Sequence, residues 1–202
     1  MNIICFGDSI TEAAEVASTD RWPTVLQSQL DEWKPDRFKV HNLGMGGHTS
    51  AQGFDRLDED LLPVLPGLVL IQFGFNDANV RDWAVVPRVG LDEFKKNLRE
   101  FHRIITVRQG RSVFIVNHTI GVLAGEQGDG QSYKDNVEAY NIAIGQIVEE
   151  LQTSCIDLPS MMAQRQVDLS TFLAEDQVHL SADGNRIYAD MVFDGLAATL
   201  RI

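Results

Sequence analysis

Cysteine is nearly absent from this chain. Cys5 and Cys155 are the two among 202 residues, too few for a disulfide scaffold and not spaced as a C-x-x-C pair. Both read as small core residues. Basic residues are also scarce. Seventeen Lys and Arg stand against 29 Asp and Glu, a net charge of −12. Binding a phosphate backbone or an anionic bilayer needs clustered cations that release counterions, so the balance argues against nucleic acid and against stable membrane association. No uninterrupted apolar segment approaches the ~18 residues of a membrane span. Met1 leads straight into the short apolar run Asn2 to Gly7, with neither a basic flank nor a small-residue cleavage site, and the chain reads as cytoplasmic. Repeats, low-complexity tracts and linkers are missing as well, and the length suits one domain spanning residues 1–202. The apolar stripes are all accounted for by one core and leave the oligomeric state open.

What is present is ordinary for a folded protein: 44% hydrophobic and 23% charged residues. Short apolar runs at Ile3 to Phe6, Phe38 to Leu43, Leu68 to Phe73, Val113 to Val116 and Cys155 to Leu158 predict about five strands, several apolar on both faces as in a covered parallel sheet. Between them the period changes to that of helices. Trp22, Val25, Leu26, Leu30 and Trp33 share one face; so do Leu91, Phe94, Leu98, Phe101 and Ile105; so do Tyr140, Ala143, Ile144, Ile147, Val148 and Leu151. Phe54, Leu57 and Leu61 predict a shorter helix opened by Thr49 or Ser50, and Ile187 to Leu196 a last one capped by Ser181. Strands alternating with helices imply right-handed crossovers and a three-layer α/β/α sandwich. In such a sheet ligands meet the loops at the carboxyl ends of the strands. Gly121 to Gly130 reads as a flexible surface loop.

Four loops at those ends carry chemistry-bearing residues. The first strand runs into Gly7-Asp8-Ser9-Ile10-Thr11, where a serine beside a turn-permitting glycine can present its hydroxyl and its own N–H above the sheet. The second runs into Gly44-Met45-Gly46-Gly47-His48 before a helix, a place where backbone N–H groups and a helix start favour an oxyanion or phosphate. The third ends in Gly74-Phe75-Asn76-Asp77, and a side-chain amide there can donate to a developing negative oxygen. Near the end, Asp176 stands three residues before His179, close enough to fold back onto the ring's Nδ1–H and leave Nε2 free to take a proton from a serine. Each loop alone is also an ordinary polar turn. Together they supply a nucleophile, two sorts of oxyanion donor and an oriented base.

The blocks Gly7-Asp8-Ser9, Gly47, Gly74-Phe75-Asn76-Asp77 and Asp176 to His179, in that order along the whole chain, resemble those of the SGNH or GDSL hydrolases. The resemblance implies a flavodoxin-like sheet in order 2-1-3-4-5 and hydrolysis of small-molecule esters or thioesters. It assigns Ser9 as nucleophile, His179 as base then acid, Asp176 as its orienter, and the Ser9 and Gly47 amides with the Asn76 side chain as oxyanion hole. His48 stands where family members often have an acidic or small residue, and Ile10 where the family name has leucine. Candidate substrate contacts are His48, Phe75, Asn79, His118 and Val178. His41 and His102 lack a partner set, no His-Glu-x-x-His spacing occurs, and neither metal nor cofactor is expected. The rival readings are a flavodoxin-like module binding a phosphorylated ligand, a degenerate hydrolase fold serving as an interaction surface, and a lysophospholipase or thioesterase within the family. Acidic Asp8 and Glu12 beside Ser9 weigh against a phosphate site. Without a long apolar lid segment, short acyl or acetyl esters of sugars or small alcohols are favoured.

Overall fold

The computed structural model describes residues 1–200. Ile3, Ile4, Cys5 and Phe6 are all fully buried in strand β1 (Asn2–Gly7), because layers of helix cover both faces of a parallel sheet. β3 (Gly67–Gln72) and β4 (Arg111–Val116) are likewise mostly buried. β2 (Lys39–Gly44) and β5 (Ser154–Asp157) form the edges, and the order is β2-β1-β3-β4-β5, parallel throughout. β2 is only half covered. On β5, Ile156 points into the core while Cys155 is exposed, which corrects the expectation that both cysteines are interior: side chains on an edge strand alternate between core and solvent.

Helix α2 (Trp22–Trp33) packs on the last helix, α9 (Ala182–Leu200), in one layer; α5 (Leu91–Val107) packs on α6 (Tyr133–Leu151) and on α3 (Ser50–Asp55) in the other. Phe94, Leu98, Phe101 and Ile105 bury the predicted face of α5, and Leu91, at the first turn, is half in solvent. Phe101 meets Phe6, Phe73 and Phe54 with ring centroids 4.4–5.8 Å apart, contacts that add to their area burial. Thr49 caps α3 with a full capping box through Gln52. The helix expected to carry Leu57 and Leu61 onward is interrupted at Arg56, and a wider turn, Leu57–Leu61, follows. Arg56 turns inward there, donating to the carbonyls of Gly7 and Leu43 at 2.8 Å each.

Register decides where the loops emerge. Gly7 lies opposite Gly44 on one side and Gln72 on the other, so β1, β2 and β3 end at one level and release their loops along one rim.

Candidate active site

Ser9 opens the single-turn helix α1 (Ser9–Glu12) directly off β1, with Asp8 as N-cap accepting the Ile10 N–H at 3.0 Å. Asp8 is fully buried, and burial pushes its pKa up to about 7 against the opposing Ile10 hydrogen bond. A polar chain ties this turn to its neighbours. Thr11 donates to Gln72 at 2.8 Å, Gln72 to Asn117 at 2.9 Å, and Asn117 to the Phe73 carbonyl at 3.0 Å.

The loop after β2 runs past Ser9: a Cβ placed on Gly46 would lie 4.0 Å from the Ser9 Cβ. The Gly46 N–H donates to Glu12 Oε2 at 2.6 Å. Gly47 has φ +74°, a conformation glycine adopts freely, and the direction its Cβ would take is open. In the short helix α4 (Phe75–Ala78), Asn76 is half-buried, and Asp77 is buried beneath it and accepts from the Ser50 amide at 3.0 Å and its hydroxyl at 2.5 Å. Burial raises the Asp77 pKa to about 6 in spite of those hydrogen bonds.

The last loop folds back at Gln177, φ +62°. Asp176 Oδ1 accepts the amides of Val178 and His179 at 3.0 and 2.9 Å, and its Oδ2 accepts from His179 Nδ1 at 2.5 Å. Burial alone would raise the Asp176 pKa; the hydrogen bonds from the His179 ring and the two amides outweigh it and hold the carboxylate below its ordinary value. Across 170 residues of sequence, Ser9 Oγ donates to His179 Nε2 at 2.9 Å. The carboxylate can only accept, so it assigns the proton to Nδ1 and leaves Nε2 as acceptor. A hydroxyl, an imidazole and a carboxylate thus stand in line, an arrangement that can move a proton off a serine if its oxygen attacks. Glu15 Oε1 lies 3.7 Å from the same Nε2.

The other predicted residues divide. His118 is buried, its Nε2 donating to the Val178 carbonyl at 2.9 Å and its ring packed against Phe75, Phe172 and Tyr188. Burial lowers its pKa to about 4. Apolar packing at the ends of β3 and β4 encloses the rings of both His118 and Phe75. Val178 is half-buried and its backbone is bonded on both sides; Asn79 is half-buried, its carbonyl accepting from the Arg88 N–H. His48 is half-buried with no side-chain hydrogen bond, and burial together with Arg56 and Arg88 lowers its pKa. Glu15, Arg56 and Arg88 went unnoticed in the sequence. Glu12 follows Ser9 by three residues, one turn of helix, a spacing that signals proximity; Glu15, beyond the end of α1, and the arginines carry no such signal. Among the described residues, no three His, Cys, Asp or Glu side chains cluster as metal ligands, and no helix is long and apolar enough to cross a membrane.

A five-stranded parallel sheet with this hydroxyl–imidazole–carboxylate line over its carboxyl rim has the layout of an ester hydrolase. Residues 5–187 match the GDSL-like lipase/acylhydrolase family, and the chain belongs to it. Among curated relatives, the isoamyl acetate-hydrolyzing esterase 1 homolog of Rattus norvegicus is 27% identical over 202 residues, covering 91% of this chain and 76% of the relative. Among solved structures, a lipase/acylhydrolase from Enterococcus faecalis superposes with a TM-score of 0.79 at 21% identity, covering 98% of this chain and 95% of the other. An acetyl xylan esterase superposes with a TM-score of 0.76 at 22% identity, covering 97% and 100%.

Proposed function

We propose that this protein hydrolyses short-chain carboxylic esters, acetyl esters of small alcohols or sugars above all, through an acyl-enzyme on Ser9. The observation that carries the reading is the 2.9 Å contact between Ser9 Oγ and a His179 ring whose far nitrogen is held by Asp176. Ser9 Oγ attacks the ester carbonyl as its proton passes to Nε2. The negative oxygen is held by the Ser9 and Gly47 amides and the Asn76 Nδ2. His179 then returns the proton to the leaving alcohol. Water, deprotonated by the same nitrogen, releases the acid and restores the hydroxyl.

The preference for small acyl groups is supported by kinship. The crevice lined by Ser9, Ile10, Ala13, Glu15, His179, Leu180 and Asn185 is too shallow to form an enclosed cavity. A cavity of about 500 Å³ lies along the outer side of α5, lined by His102, Thr106 and Leu151 among others, and includes none of these residues. The relatives described above include proteins named for acetate and acetyl esters.

The test is a hydrolysis panel of p-nitrophenyl esters of increasing acyl length together with acetylated sugars, with Ser9→Ala alongside. Acetyl and propionyl esters should turn over fastest, and Ser9→Ala should lower kcat/KM by at least about 10³-fold while melting like the parent. Faster turnover of long acyl chains would replace the short-chain reading, and undiminished activity in Ser9→Ala would remove the serine from the reaction.

A further inference from the structure

An oxyanion donor made from an asparagine side chain has a built-in ambiguity. Its amide has a donating end and an accepting end of nearly the same shape, and only the NH₂ end can hold a negative oxygen. Asn76 resolves this through one contact. Arg88 Nη1 donates to Asn76 Oδ1 at 3.1 Å, and among the described residues that is the side chain's one hydrogen bond. A guanidinium cannot accept, so the end it grips is the oxygen and Nδ2 is turned away from it.

The same guanidinium reaches the other loop. Arg88 Nη2 donates to the Gly47 carbonyl at 2.9 Å and to Gln52 Oε1 at 3.2 Å. Gln52 is itself the residue that accepts the Thr49 N–H in the capping box of α3. Gly47 is therefore held from two sides, by Arg88 at its own carbonyl and through Gly46 by Glu12. Arg88 is rooted as firmly. Its N–H donates to the Asn79 carbonyl at 3.1 Å, the Val89 N–H donates to the Asp77 carbonyl at 3.2 Å, and the Tyr140 hydroxyl donates to the Val89 carbonyl.

We infer that Arg88 is the positioning residue of the oxyanion hole: one planar cation sets which way the Asn76 amide faces and ties it to the Gly47 turn, so that donors from two separate loops meet one oxygen. The inference rests on the acyl-transfer reading given above for what those donors do. Arg88 touches no reacting atom. Its effect falls on the height of the barrier, where a displacement of ~1 Å in a preorganised group costs up to ~10²-fold, and hardly at all on the binding of the ground-state ester.

The experiment compares wild type, Arg88→Ala, Arg88→Lys, Asn76→Ala and the Arg88→Ala/Asn76→Ala double variant on p-nitrophenyl acetate. Arg99→Ala, which removes an exposed pair with Glu150 far from the site, serves as control. Arg88→Ala should lower kcat about 10- to 100-fold with KM moved less than about threefold, and Arg88→Lys, which keeps the charge but loses the fork, should recover only part of it. Removing Asn76 should cost far less in the Arg88→Ala background than in wild type, because the amide is already misplaced. A readout independent of turnover is the Asn76 side-chain amide pair in ¹⁵N NMR, assigned by its loss in Asn76→Ala. It should be ordered in wild type and mobile in both Arg88 variants. An unchanged kcat, additive losses in the double variant, or an Asn76 amide equally ordered without Arg88 would each overturn the inference. Should Ser9→Ala retain full activity, the acyl-transfer reading fails by itself, and the NMR comparison still decides whether Arg88 orients Asn76. Should Arg88→Ala fail to fold, Arg88→Lys decides through the same readouts.

Discussion

His118 shows how a single buried side chain contributes to the pH response of the whole fold. Burial lowers its pKa to about 4 from an ordinary 6.5, so between those values the unfolded chain binds the extra proton. Its contribution to stability is complete above about 6.5 and is lost as the pH falls toward 4. Asp8 and Asp77 act in the opposite sense. Their pKa values are raised by burial to about 7 and about 6 from 3.8, so the folded state holds the extra protons. Their contribution is complete below about 3.8 and is lost as the pH rises through 6 to 7. In the wild type the two effects partly cancel between pH 4 and 6.5. His118→Gln can keep an N–H for the Val178 carbonyl and removes the titration. Its urea midpoint, taken from about pH 7 to pH 5, should rise more, or fall less, than that of the wild type. Parallel pH curves for the two proteins would show that His118 has no such share.

At the scale of elements, His179, the proposed base, is framed by two helices in contact. Helix α8 (Leu169–Phe172) precedes the loop that carries Asp176 and His179, and α9 follows it. The two close so tightly that a Cβ on Gly184 would sit 1.9 Å from the Phe172 carbonyl oxygen. Ser181, the predicted cap, accepts the Gly184 N–H at 2.9 Å and locks the same corner. Gly184→Ala must therefore push α8 from α9, with an expected cost of about 1–3 kcal/mol and a fall in kcat as His179 shifts. Gly145 in α6 has open space where its Cβ would go, and Gly145→Ala should stabilise by about 0.5–1 kcal/mol without changing kcat. Urea denaturation and ester kinetics on the pair check both; a wild-type Gly184→Ala would mean that the α8–α9 corner yields freely. The same elements show what a sequence discloses. β1, β3 and β4 were legible because two covered faces demand unbroken apolar runs, and the four loops were legible because turn chemistry and catalytic residue types coincide in them. Cys155, Leu91 and the turn after Arg56 were misread because edge position, helix-end exposure and an inward arginine are settled by tertiary neighbours. Arg88 was invisible for a related reason. A lone arginine twelve residues beyond Asn76 has no period and no motif, and its meaning depends on a loop returning to Asp77 and Asn79.

For the whole molecule, the governing quantity is a net charge of −12 that the site's mouth does not offset. Glu15 and Asp176 are both about half exposed beside His179, while the charge of Arg88, across the site, is directed at Asn76, Gly47 and Gln52. A substrate meets a negative rim before it meets Ser9. On the proposed reaction, a neutral acetate ester should have a kcat/KM almost indifferent to salt. An acetate ester carrying its own carboxylate should be disfavoured at low ionic strength and gain about two- to fivefold as the Debye length shrinks from ~30 Å at 0.01 M to ~8 Å at 0.15 M. Glu15→Gln removes the carboxylate nearest Nε2 and should narrow the gap between the two esters at low salt, the gain appearing in kcat/KM of the anionic ester alone. If the anionic ester is as indifferent to salt as the neutral one, and Glu15→Gln treats them alike, the field of the protein does not reach its site and selectivity rests on shape and contact only.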